Sequence, residues 1–283
     1  MLYVVATPIG NLEDVSPRAL RILREVAVIA CEDTRHSARL LSAHSIRTPT
    51  LSYFEHNEER RTPALIERLR AGESVAIITD AGTPAISDPG YRLVRAAIAA
   101  GIRVAAVPGP SAVIAALSIA GLPTDRFTFE GFVPQRDGAR RHALEALQRE
   151  PRTMVFFEAA RRLAATLAAM ETAFSADREA AVVREITKTF EESVRGTLSE
   201  LHARFAAAEP RGEIVIVVGG APVPGDGVGA ADAVADADAV TVQALCAVGV
   251  SLKDASAAVA RLTGTSRREL YQRALARRRE LPE

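Results

Sequence analysis

Cysteine is scarce in this chain: Cys31 and Cys246 are the only two among 283 residues. They stand far apart with no C-x-x-C anywhere, which excludes a disulfide framework and a cysteine-built zinc site and fits a reducing, cytoplasmic setting. Lysine is equally rare. Neither Lys188 nor Lys253 follows a glycine, so the phosphate-cradling P-loop is absent. The formal net charge is zero, so the chain does not coat nucleic acid by bulk charge. Long hydrophobic runs are missing too; the stretch from Ala96 to Val107 is cut by Gly101 and Arg103, far short of a membrane span. Met1-Leu2-Tyr3-Val4-Val5 has no basic leader and soon meets Pro8, so it reads as a strand and not a signal peptide. His56-Asn57-Glu58 matches the H-x-E of zinc deaminases, but without C-x-x-C that chemistry is excluded, and no metal is expected.

What is present is a globular composition, 48% hydrophobic and 25% charged, in a chain long enough for two cores. Short β-branched runs at Leu2–Ala6, Val26–Cys31, Val75–Thr79 and Ile102–Val107 predict strands of a buried parallel sheet. Ser16-Pro17 and Asp88-Pro89 each place a capping side chain before a proline, the signature of a helix start. This alternation predicts an α/β domain over residues 1–120, closed by a hinge at Gly121-Leu122-Pro123-Thr124-Asp125. Runs at Phe127–Phe132, Thr153–Glu158, Ala181–Glu185 and Ile214–Val218 predict a second α/β domain over 121–220, whose short connections imply mixed strand directions. Residues 221–240 turn to Gly, Ala, Pro and Asp and read as a flexible linker. Residues 241–283 form a helical, basic module resembling a helix-turn-helix. Ala258, Leu262, Leu270, Tyr271 and Leu275 are its expected core, and Arg267, Arg268 and Arg273 are candidates for phosphate contact.

Three strand ends in the first half are rich in glycine and proline: Pro8 and Gly10 after the first strand, Asp80, Gly82, Thr83, Pro84 and Ile86 after the third, and Pro110, Ser111 and Ala112 after the fourth. Ligands of open α/β sheets bind where such loops converge, at the carboxyl ends of strands. Two polar clusters also follow strand-like runs: Glu32-Asp33-Thr34-Arg35-His36 and His56-Asn57-Glu58-Glu59. Each suits acid–base work or, more plainly, helix capping.

In this order, Thr7-Pro8-Ile9-Gly10-Asn11-Leu12, Cys31-Glu32-Asp33-Thr34-Arg35, His56-Asn57-Glu58, Asp80-Ala81-Gly82-Thr83-Pro84, Ser87-Asp88-Pro89-Gly90, Pro108-Gly109-Pro110-Ser111, Arg184-Glu185-Ile186-Thr187-Lys188 and Gly212-Glu213 resemble the ribosomal RNA small-subunit methyltransferase I family, a branch of the tetrapyrrole methylases. The resemblance implies a fold of two α/β domains with a cofactor cleft between them, S-adenosylmethionine as cofactor, and methyl transfer to a cytidine ribose 2′-oxygen in the decoding region of 16S rRNA. It also implies a homodimer acting on the small ribosomal subunit, with neither DNA nor a membrane as partner. It places cofactor contacts at Pro8, Gly10, Thr83, Ile86, Ser111 and Ala112, with Phe157 and Glu213 from the second domain. Methyl transfer to a hydroxyl also needs a proton acceptor. Glu32 and Asp33 are the first candidates, His56 and Glu58 the second, and Arg35 and Lys188 suit flanking phosphates. The alternatives are a precorrin- or uroporphyrinogen-type methyltransferase with the same fold, and a helix-turn-helix DNA-binding regulator.

Overall fold

The computed structural model describes residues 1–207, 210–222 and 228–280, with the backbone alone for 228–237 and 276–280. The chain divides into two compact units, Met1–Ala221 and Pro222–Glu283.

In the first unit, β1 (Leu2–Val5), α1 (Pro17–Glu25), β2 (Val28–Cys31), α2 (Thr34–Ala43), β3 (Thr50–Ser52), α3 (Glu58–Arg70), β4 (Val75–Ile78), α4 (Tyr91–Ala99), β5 (Val104–Val107) and α5 (Ala112–Ala120) come first. All the strand pairings here are parallel, in the order β3-β2-β4-β1-β5. Side chains alternate across a strand, and β4 shows the result. Val75 and Ile77 pack with Leu65 and Leu93 on one face, while Ala76 and Ile78 pack with Ile22 and Leu23 on the other. Both faces are covered, so the strands read as apolar runs and not as alternations.

The second half holds β6 (Phe127–Phe132), α6 (Asp137–Ala146), β7 (Thr153–Ala159), α7 (Leu163–Phe174), β8 (Glu179–Arg184), β9 (Glu192–Thr197), α8 (Leu198–Ala207) and β10 (Glu213–Val218). Its order is β6-β7-β10-β8-β9, with β6 parallel to β7 and the other pairs antiparallel. The mixed directions expected from the sequence are present. The edge strand β9 was not expected, because Glu-Ser-Val-Arg-Gly-Thr has no apolar run to announce it.

The helix α5 precedes the hinge in sequence, yet Val113, Ala116, Leu117 and Ala120 pack against Val155, Val183 and Val217 of the second sheet. Its sequence, Ala-Val-Ile-Ala-Ala-Leu-Ser-Ile-Ala, is apolar all round, as suits a helix without a fully solvated face. Gly121, left-handed at φ 77°, ends it.

In the second unit α9 (Val228–Ala247), α10 (Leu252–Thr263) and α11 (Arg267–Glu280) share a small core of Ala239, Val242, Ala255, Val259, Leu270 and Ala274. Two expectations need correcting. The linker expected over 221–240 is helical from Val228 onward; after Gly229 that stretch has no glycine or proline and is rich in alanine, the best helix former. Residues 223–227 lie outside the described ones. The apolar face of α10 is also one residue away from the expected one: Leu262 is 86% exposed and Ala258 is exposed, while Ala255 and Val259 are buried. Leu270 is in the core as expected, whereas Tyr271 is exposed and Leu275 only half-buried, so neither joins it. The turn between α10 and α11 opens with left-handed Gly264, and Ser251 caps α10 by accepting from Asp254 N–H.

Candidate functional site

Backbone bonds knit the loops of the first sheet into one surface. Thr7 and Gly82 exchange N–H···O bonds of 2.8 and 3.1 Å, joining the end of β1 to the loop after β4. Thr83 Oγ1 donates to Pro110 O at 3.2 Å, tying that loop to the one after β5. Gly82 at φ 82° occupies the left-handed region that only glycine enters freely. Two other glycines serve protein packing and not a ligand. A Cβ at Gly109 would meet Ala6 Cβ at 3.0 Å, and one at Gly10 would meet Lys188 Cγ at 2.6 Å and Thr187 Oγ1 at 2.8 Å. Gly10 is thus a notch into which the β8–β9 loop of the second half fits.

A cleft of about 440 Å³ opens between the two sheets, within the range of small-molecule sites. From the first half Gly82, Thr83, Ile86, Ser111 and Ala112 line it, as expected, and from the second half Phe157 and Glu213 do. Phe157 is held by edge-on contacts with Phe129 and Phe132, at centroid distances of 4.8 and 5.4 Å. Pro84 and Pro110 do not line it; Pro110 contributes its carbonyl to Thr83. Beside the cleft lies a second cavity of about 380 Å³, sharing Ile9, Ala81 and Glu213 with it. Pro8, Gly10 and Asp80, expected at the cofactor, border this second cavity.

The sequence reading missed Asp88 as a cleft residue by treating Asp88-Pro89 as a helix cap. Helix α4 begins later, at Tyr91 after Gly90, and Asp88 lines the cleft. Burial first, then the charge of Glu32, pushes its carboxyl up to about 7. Its neighbours Ala85 and Ser87 have positive φ of 69° and 60°, backbone strain of the kind that collects at functional sites. Ile186 and Gly212, both within the motif series, line the cleft as well, and so do Phe132 and Ala160, which no motif chemistry marks.

The acidic cluster after β2 is ordered by hydrogen bonds. Asp80 N–H donates to Glu32 Oε2 at 3.5 Å, and Asp33 N–H donates to Asp80 Oδ1 at 3.2 Å. Burial raises the Glu32 carboxyl above its usual range. Asp33 is the N-cap of α2, accepting from Arg35 N–H at 2.8 Å and pairing with the Arg35 guanidinium at 3.2 Å. The Arg35 side chain holds the Asp33 carboxyl below its usual range.

The second cluster has structural roles. Glu58 is buried; its Oε1 accepts from Gly90 N–H at 2.7 Å at the start of α4, and its Oε2 lies 3.4 Å from Arg92 Nε. It thus supplies the carboxylate that Asp88 was expected to offer there. His56 is exposed and packs edge-on against Phe54. Neither His56 nor Glu58 lines the cleft or the second cavity.

Lys188 borders the second cavity. Its ammonium lies 2.9 Å from both Glu185 Oε1 and Glu213 Oε2. Burial pulls the ammonium down, but the bonds to Glu213 and Glu185 outweigh this and hold it above its usual value. In the second unit Arg267 and Arg268 are exposed, while Arg273 pairs with Glu269 at 3.0 Å. Among the described residues no group of His, Cys, Asp or Glu is arranged to hold a metal, and no helix is long and apolar enough to cross a membrane.

Comparison with known proteins adds to this geometry. The family Tetrapyrrole (Corrin/Porphyrin) Methylases matches residues 1–202, and the RsmI C-terminal HTH domain matches 232–278. A "Ribosomal RNA small subunit methyltransferase I" of Pseudomonas aeruginosa is 51% identical, covering 98% of this chain and 97% of the relative. One from Escherichia coli O157:H7 is 42% identical over 97% of this chain and 94% of its own length. Among solved structures, uroporphyrin-III-C-methyltransferase from Thermus thermophilus superposes with a TM-score of 0.56 at 23% identity, covering 77% of this chain and 93% of the other. The methyltransferase CobJ gives 0.58 at 19% identity, covering 78% and 94%. Both structures share the fold.

Proposed function

This chain belongs to the ribosomal RNA small subunit methyltransferase I family, and we propose that it methylates the ribose 2′-oxygen of a cytidine in the decoding region of 16S rRNA, using S-adenosylmethionine. The observation that carries this reading is the cleft between the two sheets, bordered by a second cavity, in a chain near-identical in extent to named rRNA methyltransferases. The residues of the cleft fit the cofactor. An apolar wall of Ile86, Ala112 and Phe157 suits its adenosine, and the Asp88 carboxyl suits its positive charge. When bound, the cofactor supplies a methyl group on a sulfonium, activated for attack.

The protein's task is then alignment and proton removal. During transfer the 2′-hydroxyl would give up its proton to a carboxylate. We assign this role to Glu32, which lines neither cavity but accepts from Asp80 N–H beside the second one and is raised above its usual range by burial. In this reading Asp33 orders α2, and Glu58 and His56 are structural. Arg35 and Lys188 bind phosphates flanking the target, and the second unit docks the subunit through exposed Arg267 and Arg268, with Arg273 on the same helix. The active form is a cytoplasmic homodimer, as the resemblance implies; the buried, unpaired Cys31 suits that compartment.

The test is incubation with small ribosomal subunits and methyl-labelled cofactor, with the 2′-O-methyl mapped by primer extension. Label at a decoding-region cytidine is expected, and none in rRNA overturns the reading. Removing residues after Ala221 should leave cofactor affinity unchanged on calorimetry, yet weaken subunit binding and flatten its salt dependence, because fewer counterions are released. A truncated chain that binds subunits as tightly at every salt concentration removes the second unit from docking.

A further inference from the structure

The second cavity is a pocket with its own chemistry. Its wall toward the cleft is Ile9 and Ala81, held by the Thr7–Gly82 bonds. Two adjoining cavities that share lining residues give the donor and the acceptor of a two-substrate transferase neighbouring places. Another wall is the N-terminal half of α2, which contributes His36, Ser37 and Arg39.

Three observations describe what the pocket can recognise. Ser37 is 3% exposed, and its hydroxyl has no nitrogen or oxygen partner, only the Cys31 thiol beside it. A buried hydroxyl left without a good partner costs free energy that a ligand atom recovers. Asp80 uses Oδ1 to accept from Asp33 N–H, and its Oδ2 has no hydrogen-bond partner among the described residues. At the sides stand exposed Arg39 and half-buried Lys188, the latter paired with Glu185 and Glu213. A carboxylate acceptor beside a hydroxyl donor is complementary to a ring with an amino group next to an acceptor nitrogen. Among the pyrimidines, cytosine has this edge and uracil does not. Cations nearby suit the phosphates of the same strand.

We propose that this cavity is the acceptor pocket, in which the target nucleotide leaves its stack and is read through its base edge: Asp80 accepts from the cytosine amino group, Ser37 donates to the ring, and Arg39 and Lys188 hold flanking phosphates. The proposal rests on the reading of the chain as a cytidine methyltransferase and names how that target is selected. A nucleotide taken out of its stack is read this way in enzymes that act on single bases. Asp80, Ser37 and His36 are then acceptor-side residues, while Gly82, Thr83 and Ser111 serve the cofactor.

The experiment uses the full chain saturated with S-adenosylhomocysteine and a short single-stranded RNA with a central cytidine or uridine, followed by fluorescence anisotropy. The cytidine RNA should bind about tenfold tighter, one hydrogen-bonded base edge in free-energy terms. Asp80→Asn, which keeps an acceptor for Asp33 N–H, should erase most of that preference. His36→Trp, on the exposed side of α2, should plug the pocket and weaken both RNAs, while S-adenosylhomocysteine affinity on calorimetry stays within about twofold of wild type. Equal binding of the two RNAs by wild type, or a His36→Trp protein that binds the cytidine RNA as tightly as wild type, overturns the proposal. So does a plug that weakens the cofactor product as much as the RNA, because the cavity then belongs to the cofactor. If the cytidine preference is found while subunits go unmethylated, the assigned function fails and the pocket stands.

Discussion

In the first sheet every strand runs the same way, so the loops after β1, β4 and β5 leave from one edge and meet there. In the second sheet β10 runs against β7 and β8, so the edge facing the cleft is built from the ends of β6, β7 and β8 and the beginning of β10. Phe132, Phe157, Ile186 and Gly212 come from those four places. The parallel half brings Gly82, Thr83, Ser87, Asp88 and Ser111 to the cleft. The mixed half offers mostly apolar surface there beside Glu158 and Glu213, and buries part of its polar investment in contacts within the fold. That burial is seen at Glu158, whose side chain is fully buried, pairs with Arg162, and accepts from Ala159 N–H at 2.7 Å and Thr166 Oγ1 at 2.5 Å. The cleft thus meets Asp88 from the first half, while Glu158 of the second is held by contacts within the fold.

The sharpest way to break this contrast is at Arg162. Arg162→Ala leaves the Glu158 charge buried and uncompensated, a loss of about 3–5 kcal/mol. Urea unfolding should show this as a lower midpoint, with part of it restored by adding Glu158→Gln. A loss below about 1 kcal/mol would mean that water reaches Glu158 and that the second half is not built on buried polar contacts.

The first half should respond in function instead. With its carboxyl pushed up to about 7, Asp88 keeps its proton over much of the acid range. A positively charged ligand binds the ionised form better, so cofactor affinity should rise about tenfold from pH 6 to pH 8 and then level off. Without ligand the sign reverses. A carboxyl raised by folding favours the folded state below its ordinary pKa near 4, and that contribution is lost as pH climbs through 7. Calorimetry and thermal unfolding of wild type and Asp88→Asn across this range check both, and a flat affinity profile in wild type would remove Asp88 from cofactor binding.

The smallest effect is expected at Asp33, a first-half carboxylate committed, like Glu58, to structure. Asp33→Ala removes the α2 cap at a cost of about 1 kcal/mol, while Asp33→Asn keeps an acceptor oxygen and should change stability by a few tenths. Turnover of Asp33→Asn should stay near wild type. A large fall in its turnover with intact stability would return Asp33 to the mechanism and blur the division between capping and catalysis.

Much of this was open to reading from the residues alone. The parallel strands declare themselves as short β-branched runs because burial on both faces requires apolar side chains throughout, and the loops of the first half declare themselves because tight turns at strand ends call for glycine and proline. The long motif series fixed the family for the same reason: it is written in residues whose types are chemically constrained. Other features have no local signal. Polar β9 is a strand because β8 pairs with it, and α5 belongs to the second sheet because its apolar surface lands there. Capping also follows proximity and not order in the chain: α4 takes its carboxylate from Glu58, more than thirty residues earlier, and so frees Asp88 for the cleft. Sequence determines which side chains are able to bind, cap or pack. Only the tertiary structure decides which of those tasks each performs, because hydrogen bonds and burial depend on what folding brings within a few ångströms.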